Sequence, residues 1–402
     1  MEQTDANSNR CSNIEHRTSM RRKIVYVMGD LTYPNGMSRV LSQKVNYLAE
    51  HTDFEIYAVL TENAGQPFYF PLSPKVKYVN FDINFEELNA MPMHKKLIPF
   101  IKKQRKYRRM FKDYLMQLRP DITVSILRRE INFINDIQDG SKKVGEIHFT
   151  KANYRQVNLS FLPSFVNHAL TNRWNRQMEK QIKRLSKCVI LTHEDKKNWL
   201  GFDNIEVIPN PISTFPTIHS DCTQKRVIAV GRYSPEKGYE RLFKAWKIVN
   251  QRYPDWVLDI YGSGERKSYL KQVSSLQLES SIHCNEPVKD IYAKYAESSI
   301  FTITSYHEGF GLVIAEAMAT GVPPVAFSFH CGPRDIITDN EDGIIVENGN
   351  IEKLADAICY LIEHDEVRKE MGRKGIISAE RFREARIMQQ WIDMFNGLFE
   401  TS

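Results

Sequence analysis

Two glutamates stand eight positions apart in SYHEGFGLVIAEAMATGVPPVAF, the stretch that runs from Ser305 to Phe327. On one continuous helix, eight residues give about 12 Å of rise and about 80° of rotation, so the carboxylates of Glu308 and Glu316 would not meet. Gly309 and Gly311 disfavour a helix interior and favour a loop. The pattern therefore predicts a loop that carries Glu308 and folds over the start of a helix that carries Glu316.

The helix is predicted to begin near Leu312 and to end at Gly321, a left-handed stop that precedes Pro323 and Pro324. Free backbone N–H groups at a helix start attract anions, and carboxylates accept hydrogen bonds from hydroxyl groups. The loop and the helix are therefore predicted to form a small pocket for a ligand that has both phosphates and hydroxyls.

A second candidate is the turn VGRYSPEKG, which has two cations at the end of a predicted strand. Arg232 follows the strand directly, Lys237 comes five residues later, and Gly238 stands at the start of a predicted helix. Two cations there add to the positive end of the helix, an arrangement that suits a diphosphate. The alternative is a pair of ordinary surface cations near a helix start.

Single residues at two other strand ends are weaker candidates. His148 ends a predicted strand in GEIHFT, where an imidazole could donate to a developing charge or to a sugar hydroxyl. Gly36, in the turn YPNG, could let the backbone approach an anion. A structural histidine and a plain turn are the alternatives. The sequence IYGSGER lacks the third glycine of a dinucleotide site, which disfavours a nicotinamide-dependent dehydrogenase.

Composition limits the class of protein. The chain has 402 residues, enough for two domains, and its 42% apolar and 26% charged content is typical of globular proteins. The polar segment 1–22 is predicted to be a disordered extension without a signal peptide, which predicts a cytoplasmic protein. Six scattered cysteines and the lack of metal-binding motifs predict neither disulfides nor a metal site.

One segment is strongly basic. Residues 94–112, HKKLIPFIKKQRKYRRMFK, hold nine Lys or Arg and no carboxylate, with apolar residues between the charges. A basic helix with an apolar face can lie on an anionic membrane surface, where each cation contributes about 1 kcal/mol. A solvated helix face is the alternative. No motif that reads nucleic acid is present, and we favour contact with a membrane.

Predicted strands and helices alternate, as they do in α/β proteins with parallel sheets. The series begins at IVYVMG and begins again at RVIAVGR. This pattern predicts two facing, Rossmann-like, doubly wound domains over 23–212 and 213–385. A C-terminal helix over 386–402 is predicted to pack back on the first domain. A ligand is expected in the cleft, at the carboxyl ends of the strands.

The order of VGRYSPEKG, YGSGE, EGFGLVIAEAMATGVPPVAF and CGPRDIITDNEDGIIVENG resembles glycosyltransferase family 4, the group 1 retaining transferases of the GT-B fold. The resemblance covers the second domain. It is thinner in the first domain, where IVYVMG, the glycine turn, GEIHF and VIPNP are similar. Within the family, GEIHFTKANYR, RWNRQ and VILTHEDKKNW resemble bacterial enzymes that build surface polysaccharides.

This resemblance implies a retaining enzyme that moves a hexose or N-acetylhexosamine from a nucleotide-sugar without a metal or another cofactor. UDP is the expected nucleotide, with GDP as the rival. The basic stretch 94–112 motivates the hypothesis that the acceptor is a lipid-linked saccharide at the inner face of the cytoplasmic membrane. Through this stretch the protein would bind the membrane surface as a peripheral enzyme.

The resemblance also implies a role for each matched side chain. Arg232 and Lys237 would bind the donor diphosphate. Glu316 would hold the ribose hydroxyls, and Glu308 would contact the transferred sugar. His148 would face the donor sugar near the reacting centre. The implied catalytic residues are Glu308, His148, Arg232 and Lys237.

Backbone groups complete the implied donor site. Gly36 would lie beneath the phosphates, although the chain has Asn35-Gly36 where the family usually has two glycines. The close backbone approach at the first of these positions is therefore not implied. The remaining implied donor contacts are made by consecutive backbone N–H groups: Gly309, Phe310, Gly311 and Leu312.

Two rival functions stay open. A sugar-nucleotide epimerase would use the donor without an acceptor. A catalytically silent scaffold subunit would have lost part of the site, whereas the chain keeps all five implied side chains, namely Arg232, Lys237, Glu308, Glu316 and His148.

Overall fold

Two sheets organise the chain, and the computed structural model describes residues 21–33, 35–151 and 163–400. The predicted extension over 1–22 therefore lies outside the described residues except for its last two positions. The strands follow in chain order: β1 (Lys23–Gly29), β2 (Glu55–Leu60), β3 (Lys77–Asn80), β4 (Ile122–Ser125), β5 (Lys142–Glu146), β6 (Lys187–Ile190), β7 (Ile205–Val207), β8 (Arg226–Val230), β9 (Val257–Tyr261), β10 (Ile282–Asn285), β11 (Ile300–Ile303), β12 (Pro324–Phe327) and β13 (Ile344–Val346).

Helices alternate with these strands. In chain order they are α1 (Gly36–His51), α2 (Met93–Leu118), α3 (Ser164–Ile182), α4 (His193–Lys196), α5 (Tyr239–Arg252), α6 (Lys267–Ser275), α7 (Ile291–Ala296), α8 (Leu312–Ala319), α9 (Pro333–Ile336), α10 (Ile351–Glu363), α11 (Asp365–Ala379) and α12 (Glu384–Glu400). Among the described helices, none combines the length and the apolar character that crossing a bilayer requires.

Both sheets have the doubly wound order that the sequence predicts. The first sheet has seven strands in the order β3-β2-β1-β4-β5-β6-β7, and the second has six in the order β10-β9-β8-β11-β12-β13. The strand pairings described within each sheet are parallel. The direction of winding reverses between β1 and β4 and again between β8 and β11. At such a reversal the connections leave in opposite directions and open a crevice at the carboxyl ends of the strands.

By its packing, the chain divides into two compact units. Over the described residues, the first unit comprises 21–146, 163–188 and 392–400, and the second comprises 147–151 and 189–391. The domain ranges 23–212, 213–385 and 386–402 stay predictions.

The C-terminal helix α12 contributes its last turns to the first unit. The ring of Phe395 meets Tyr26 of β1 edge-on at 6.5 Å and Phe54 at 6.4 Å between ring centroids. Phe399 packs against Phe54 at 5.7 Å, and the Arg22 guanidinium lies 4.9 Å from the centroid of the Phe399 ring. These aromatic contacts cover the start of β1.

Helix α2 divides the apolar residues of the basic segment into two groups. Tyr107 and Phe111 are buried in the core of the first unit, with Phe100 and Met110 packed against that core. The exposed group lies nearer the start of the helix: Leu97 (65% exposed), Ile98 (68%) and Ile101 (39%). Tyr107 and Phe111 therefore cover the sheet of the first unit and do not face outward, and membrane contact of the segment 94–112 stays a prediction.

A buried ion pair joins α1 to the end of β5. The ammonium of Lys44 donates to the carboxylate of Glu146, and the two side chains are only 1% and 0% exposed. Burial lowers the pKa of Lys44, and the nearby Glu146 charge opposes that shift. Removing one partner alone would take from the other buried charge an opposite charge that offsets its desolvation.

Lys44→Met is therefore expected to destabilise the protein by about 3–5 kcal/mol, and the double variant Lys44→Met/Glu146→Leu to recover most of that loss. Urea unfolding measures both. Lys75→Met is the matched control, since Lys75 pairs with Glu50 at 3.0 Å on the exposed surface. An equal effect of Lys44→Met and Lys75→Met would contradict the buried-charge argument.

Candidate active site

The turn after β8 carries the two predicted cations. A 3-10 helix spans Pro235–Lys237, and Gly238, with φ of 63°, leads into α5 as the sequence predicts. This left-handed backbone favours glycine, and a Cβ at Gly238 would also lie 2.4 Å from the carbonyl oxygen of Thr304. The turn after β8 is thus held directly against the residue that follows β11.

Arg232 and Lys237 have different surroundings. The Nη2 atom of Arg232 lies 3.0 Å from Oε1 of Glu236, and the Arg232 side chain is 65% exposed. The Nζ atom of Lys237 lies 2.6 Å from Oε1 of Glu308, and both of these side chains are only 16% exposed. The shielded pair is less screened by salt than the exposed one. Since Lys237 follows β8 and Glu308 follows β11, this pair spans the reversal point of the second sheet.

Hydrogen bonds fix the Glu308 loop to the turn after β8. Ser305 Oγ donates to the same Glu308 oxygen at 2.7 Å, and the backbone N–H of Tyr306 donates to the Glu236 carbonyl at 2.8 Å. Burial raises the pKa of Glu236, but a hydrogen bond from Ser234 and the charges of the two nearby cations outweigh it, and the pKa lies below its usual value. The Glu236 carboxylate therefore stays ionised at neutral pH.

His148 lies against the Glu308 loop through its backbone. A Cβ on Gly309 would be 2.1 Å from the carbonyl oxygen of His148 and 2.9 Å from its carbonyl carbon. No side chain larger than hydrogen fits at such a distance. The second unit thus brings together four of the predicted site residues: Arg232, Lys237, Glu308 and His148.

The rest of the loop leads into α8. Gly311 has φ of 86°, and α8 begins at Leu312 as predicted. Phe310 is buried, and a Cβ on Gly332 would lie 2.3 Å from the Phe310 carbonyl oxygen. Glu316 lies on the second turn of α8 and is 1% exposed. The close contact at Gly332 was missed from the sequence, because only the fold brings that loop to Phe310.

Gly36 lies in the first unit, at the first residue of α1. Nothing lies within 4 Å of a Cβ built there, and its backbone is not left-handed. No contact within the described residues therefore demands glycine, and the space at this helix start is open. The Oδ1 atom of Asn35 accepts from the N–H of Ser38 at 2.8 Å, which explains the Asn-Gly pair as a helix cap. Pro34 of this turn lies outside the described residues.

A small cavity of about 20 Å³ at the reversal point of the first sheet was not predicted. It lies beyond the ends of β1 and β4, and its lining includes Gly29, Glu62, Tyr107, Arg128 and Arg129. The Glu130 carboxylate accepts hydrogen bonds from the backbone N–H groups of Arg128 and Arg129, at 3.3 and 3.0 Å. These bonds hold the loop that carries the two arginines. The arginines match no motif. The available signal was their position directly after the apolar stretch DITVSIL.

One group among the described residues has the composition of a metal site. Ligand atoms of Glu194, His330 and Cys331 lie within 4.8 Å of one another. The Glu194 carboxylate already pairs with Arg334 at 2.8 Å and accepts from the Cys331 N–H at 3.0 Å. Burial raises the pKa of the Cys331 thiol to about 12, so the thiol is protonated at neutral pH. These contacts hold the loop before α9 in place. Whether the protein works without a metal is not tested by them, and metal independence stays a prediction.

Several known proteins resemble this chain in sequence. Residues 215–377 match the family described as glycosyl transferases group 1. A Haemophilus influenzae protein named an uncharacterized glycosyltransferase is 32% identical over 227 residues, which are 55% of this chain and 64% of that protein. The amylovoran biosynthesis glycosyltransferase AmsD of Erwinia amylovora is 30% identical over 223 residues, 52% of this chain and 62% of that protein. The chain thus spans less than two thirds of the length of these relatives.

Solved structures identify the fold. A sucrose-phosphate synthase from Thermosynechococcus elongatus superposes with a TM-score of 0.78 over 95% of this chain and 100% of that chain, at 17% identity. A mutant of Staphylococcus aureus TarM, solved with UDP and α-GlcNAc-glycerol among its ligands, superposes with a TM-score of 0.73 over 93% and 100%, also at 17% identity. The chain has the GT-B fold. The expected fold class is confirmed by these GT-B matches and by the two parallel sheets.

Gly309→Ala tests the backbone contact in this GT-B site. The added Cβ would force the Glu308 loop away from His148, and overpacking of this kind costs about 1–3 kcal/mol. A lower melting temperature is expected, which thermal unfolding measures. Gly397→Ala is the control, since nothing lies within 4 Å of a Cβ there. An unchanged melting temperature for Gly309→Ala would mean that the two segments do not touch.

Proposed function

We propose that this chain is a retaining glycosyltransferase that moves a hexose or N-acetylhexosamine from a UDP-sugar to a lipid-linked saccharide. The acceptor would belong to the assembly of a bacterial surface polysaccharide, such as lipopolysaccharide, capsule or exopolysaccharide. The reaction would need no metal, and the protein would act in the cytoplasm on the inner face of the membrane. The observation that carries the proposal is the shielded Lys237–Glu308 pair beside Arg232, at the reversal point of the second sheet.

The chemistry of the transfer explains why cations are needed at this place. When the bond from the anomeric carbon to the diphosphate breaks, negative charge develops on the leaving phosphate. Fixed positive groups in a site of low dielectric stabilise that charge better than water does. Lys237 and Arg232 would act in this way, and the N–H groups that precede α8 would add to their effect.

Glu308 would act on the sugar. Its Oε1 atom is fixed by Lys237 and Ser305, so the carboxylate has one defined position from which to accept hydrogen bonds from sugar hydroxyls. In a retaining transfer through a short-lived ion pair, the acceptor hydroxyl attacks from the face that the diphosphate leaves. Glu308 then positions the sugar without forming a covalent bond to it. His148 would contact the same sugar, and Glu316 the ribose.

The crevice at the reversal point of the first sheet is our candidate region for the sugar end of the acceptor. Open α/β sheets bind ligands at the reversal point, where the small cavity lies. Arg128, which is exposed at its rim, offers hydrogen-bond donors, and carboxylates such as Glu86 offer acceptors for hydroxyl groups. Gly36 would leave room for the donor phosphates at the start of α1.

Single substitutions in the pair separate the two proposed roles. Lys237→Met is expected to weaken UDP binding and to lower turnover, because loss of one such group costs about 3 kcal/mol in the barrier. Glu308→Gln is expected to keep UDP affinity while turnover falls about 100-fold or more. Calorimetry and initial rates measure the two effects. Lys247→Met is the control on the exposed side of α5. Near-wild-type turnover in either site variant would reject its role.

The reaction itself is best tested with a panel of UDP- and GDP-sugars in the presence and absence of a bacterial lipid extract. Mass analysis of the lipid is expected to show the addition of one sugar, with nucleotide release that depends on the acceptor. Conversion of the sugar nucleotide without added lipid would identify an epimerase. Failure to bind any nucleotide at millimolar concentration would identify a scaffold.

Membrane contact is proposed for the exposed part of α2. The apolar side chains of Leu97, Ile98 and Ile101 are followed on the helix by exposed cations that include Arg105 and Lys112. Lys103 is not part of this surface, because its Nζ donates to the carbonyl of Asn84 at 2.7 Å and pairs with Glu87 at 2.9 Å.

Sedimentation with vesicles tests this surface. The protein is expected to bind vesicles that contain phosphatidylglycerol and not vesicles of phosphatidylcholine alone, because each cation near an anionic surface contributes about 1 kcal/mol. Ile98→Asp should weaken binding. Leu200→Asp should not, although Leu200 is also exposed, since it lies outside α2. Equal sedimentation with neutral and anionic vesicles would contradict an electrostatic contact.

A further inference from the structure

A single guanidinium connects the carboxyl ends of neighbouring strands in the second sheet. Arg241, on α5, donates from Nη2 to the carbonyl of Thr304, just beyond β11. Its Nη1 donates to the side chain of Asn348, beyond β13, at 3.0 Å. Its guanidinium lies 3.8 Å from the centroid of the Tyr306 ring and 4.8 Å from that of Phe327, the last residue of β12. Because α5 itself continues from β8, this one side chain joins four adjacent strands.

These contacts converge on the loop that carries Glu308. The hydroxyl of Thr304 donates to the carbonyls of Lys237 and Gly238 at 3.2 and 3.1 Å. The hydroxyl of Tyr306 donates to Glu240 at 2.6 Å. Arg241 therefore holds the residues on either side of Ser305, which itself donates to Glu308.

The choice of arginine at this position needs an explanation. Its Nε atom is buried without a hydrogen-bond partner among the described residues, and an unsatisfied buried donor costs free energy. Methionine could fill the space between the two rings without that cost. What methionine could not do is bridge the carbonyl of Thr304 and the amide of Asn348. Arginine therefore serves at this position to bridge the Thr304 carbonyl and the Asn348 side chain.

We propose that Arg241 is a positioning residue for the donor site. It fixes the Glu308 carboxylate against the Lys237 ammonium through Thr304 and Tyr306, and it does not itself contact donor or acceptor. This inference rests on the proposed transfer reaction. A reacting group displaced by about 1 Å can lose about 100-fold in rate, so a brace of this kind can matter as much as a group at the reacting centre.

Arg241→Met is the main test variant, because it keeps the apolar packing and removes the bridge. Arg241→Lys is the second variant, which keeps the charge but cannot span both acceptors in the same planar geometry. The matched control is Arg252→Met on the same helix, where Arg252 pairs with Asp356 at 2.9 Å on the exposed surface. All are compared as the full-length protein.

The first measurement is hydrogen exchange without ligand. In Arg241→Met and Arg241→Lys, but not in Arg252→Met, the amide of Tyr306 is expected to exchange faster, because its acceptor on Glu236 is no longer held in register. This measurement needs no substrate. If hydrogen exchange over residues 304–308 is unchanged, Arg241 does not hold this segment in place, and the inference is refuted even if the protein proves to be an active transferase.

The second measurement is a double-mutant cycle with Glu308→Gln, using the sugar nucleotide that the wild-type protein turns over. If Arg241 acts through Glu308, Arg241→Met should lower kcat about 10- to 100-fold in the wild-type background, with UDP affinity kept, and have little further effect in Glu308→Gln. An equal loss in both backgrounds would overturn the positioning role and leave a general stability effect. Absence of any turnover by the wild-type protein would refute the proposed function and the catalytic part of this inference. The hydrogen-exchange measurement would still test whether Arg241 holds the Glu308 loop in place.

Discussion

The candidate site depends on one ion pair between two strand ends. Lys237 and Glu308 are 71 residues apart in sequence, and they meet because β8 and β11 are neighbours in the sheet. Parallel strands place all their carboxyl ends at one edge, so the strand order alone decides which connections touch. A reversal of winding such as the one between β8 and β11 generally opens a crevice at the carboxyl ends of the strands. A cation and a carboxylate that are shielded from water at such a crevice suit a ligand with a phosphate and a sugar.

Close backbone approaches hold the site together as much as side chains do. At Gly309 and Gly238, the missing Cβ lets the chain lie directly against a carbonyl, of His148 in one case and of Thr304 in the other. Contacts of this kind prevent displacement toward the carbonyl, since any such movement produces a clash. Arg241 then joins the ends of β11, β12 and β13 to the helix that follows β8. The candidate site thus depends on the whole edge of the second sheet.

The two units share one topology but differ at their reversal points. The second sheet presents the paired charges of Lys237 and Glu308. The first presents a cavity that is lined by Arg128, Arg129 and several carboxylates. The family match lies in residues 215–377, within the second unit.

The sequence by itself determined the local structure. Strand and helix alternation predicted both parallel sheets, and Gly238, Gly311 and Gly321 marked turns whose left-handed backbones the structure has. These features depend on the conformational preferences of a few consecutive residues. The motifs also predicted candidate side chains at strand ends, and the structure has Arg232 and Lys237 after β8 and Glu308 after β11.

Only the tertiary structure decided which of those strand ends meet. The pairing of Lys237 with Glu308, the contact of Gly309 with His148 and the bridge made by Arg241 all depend on strand order, which local preferences do not encode. The burial of Tyr107 and Phe111 within the basic helix was decided in the same way, because the sheet selects which helix face it needs. Long-range packing determines what a side chain touches, whereas local sequence determines only where along an element it stands.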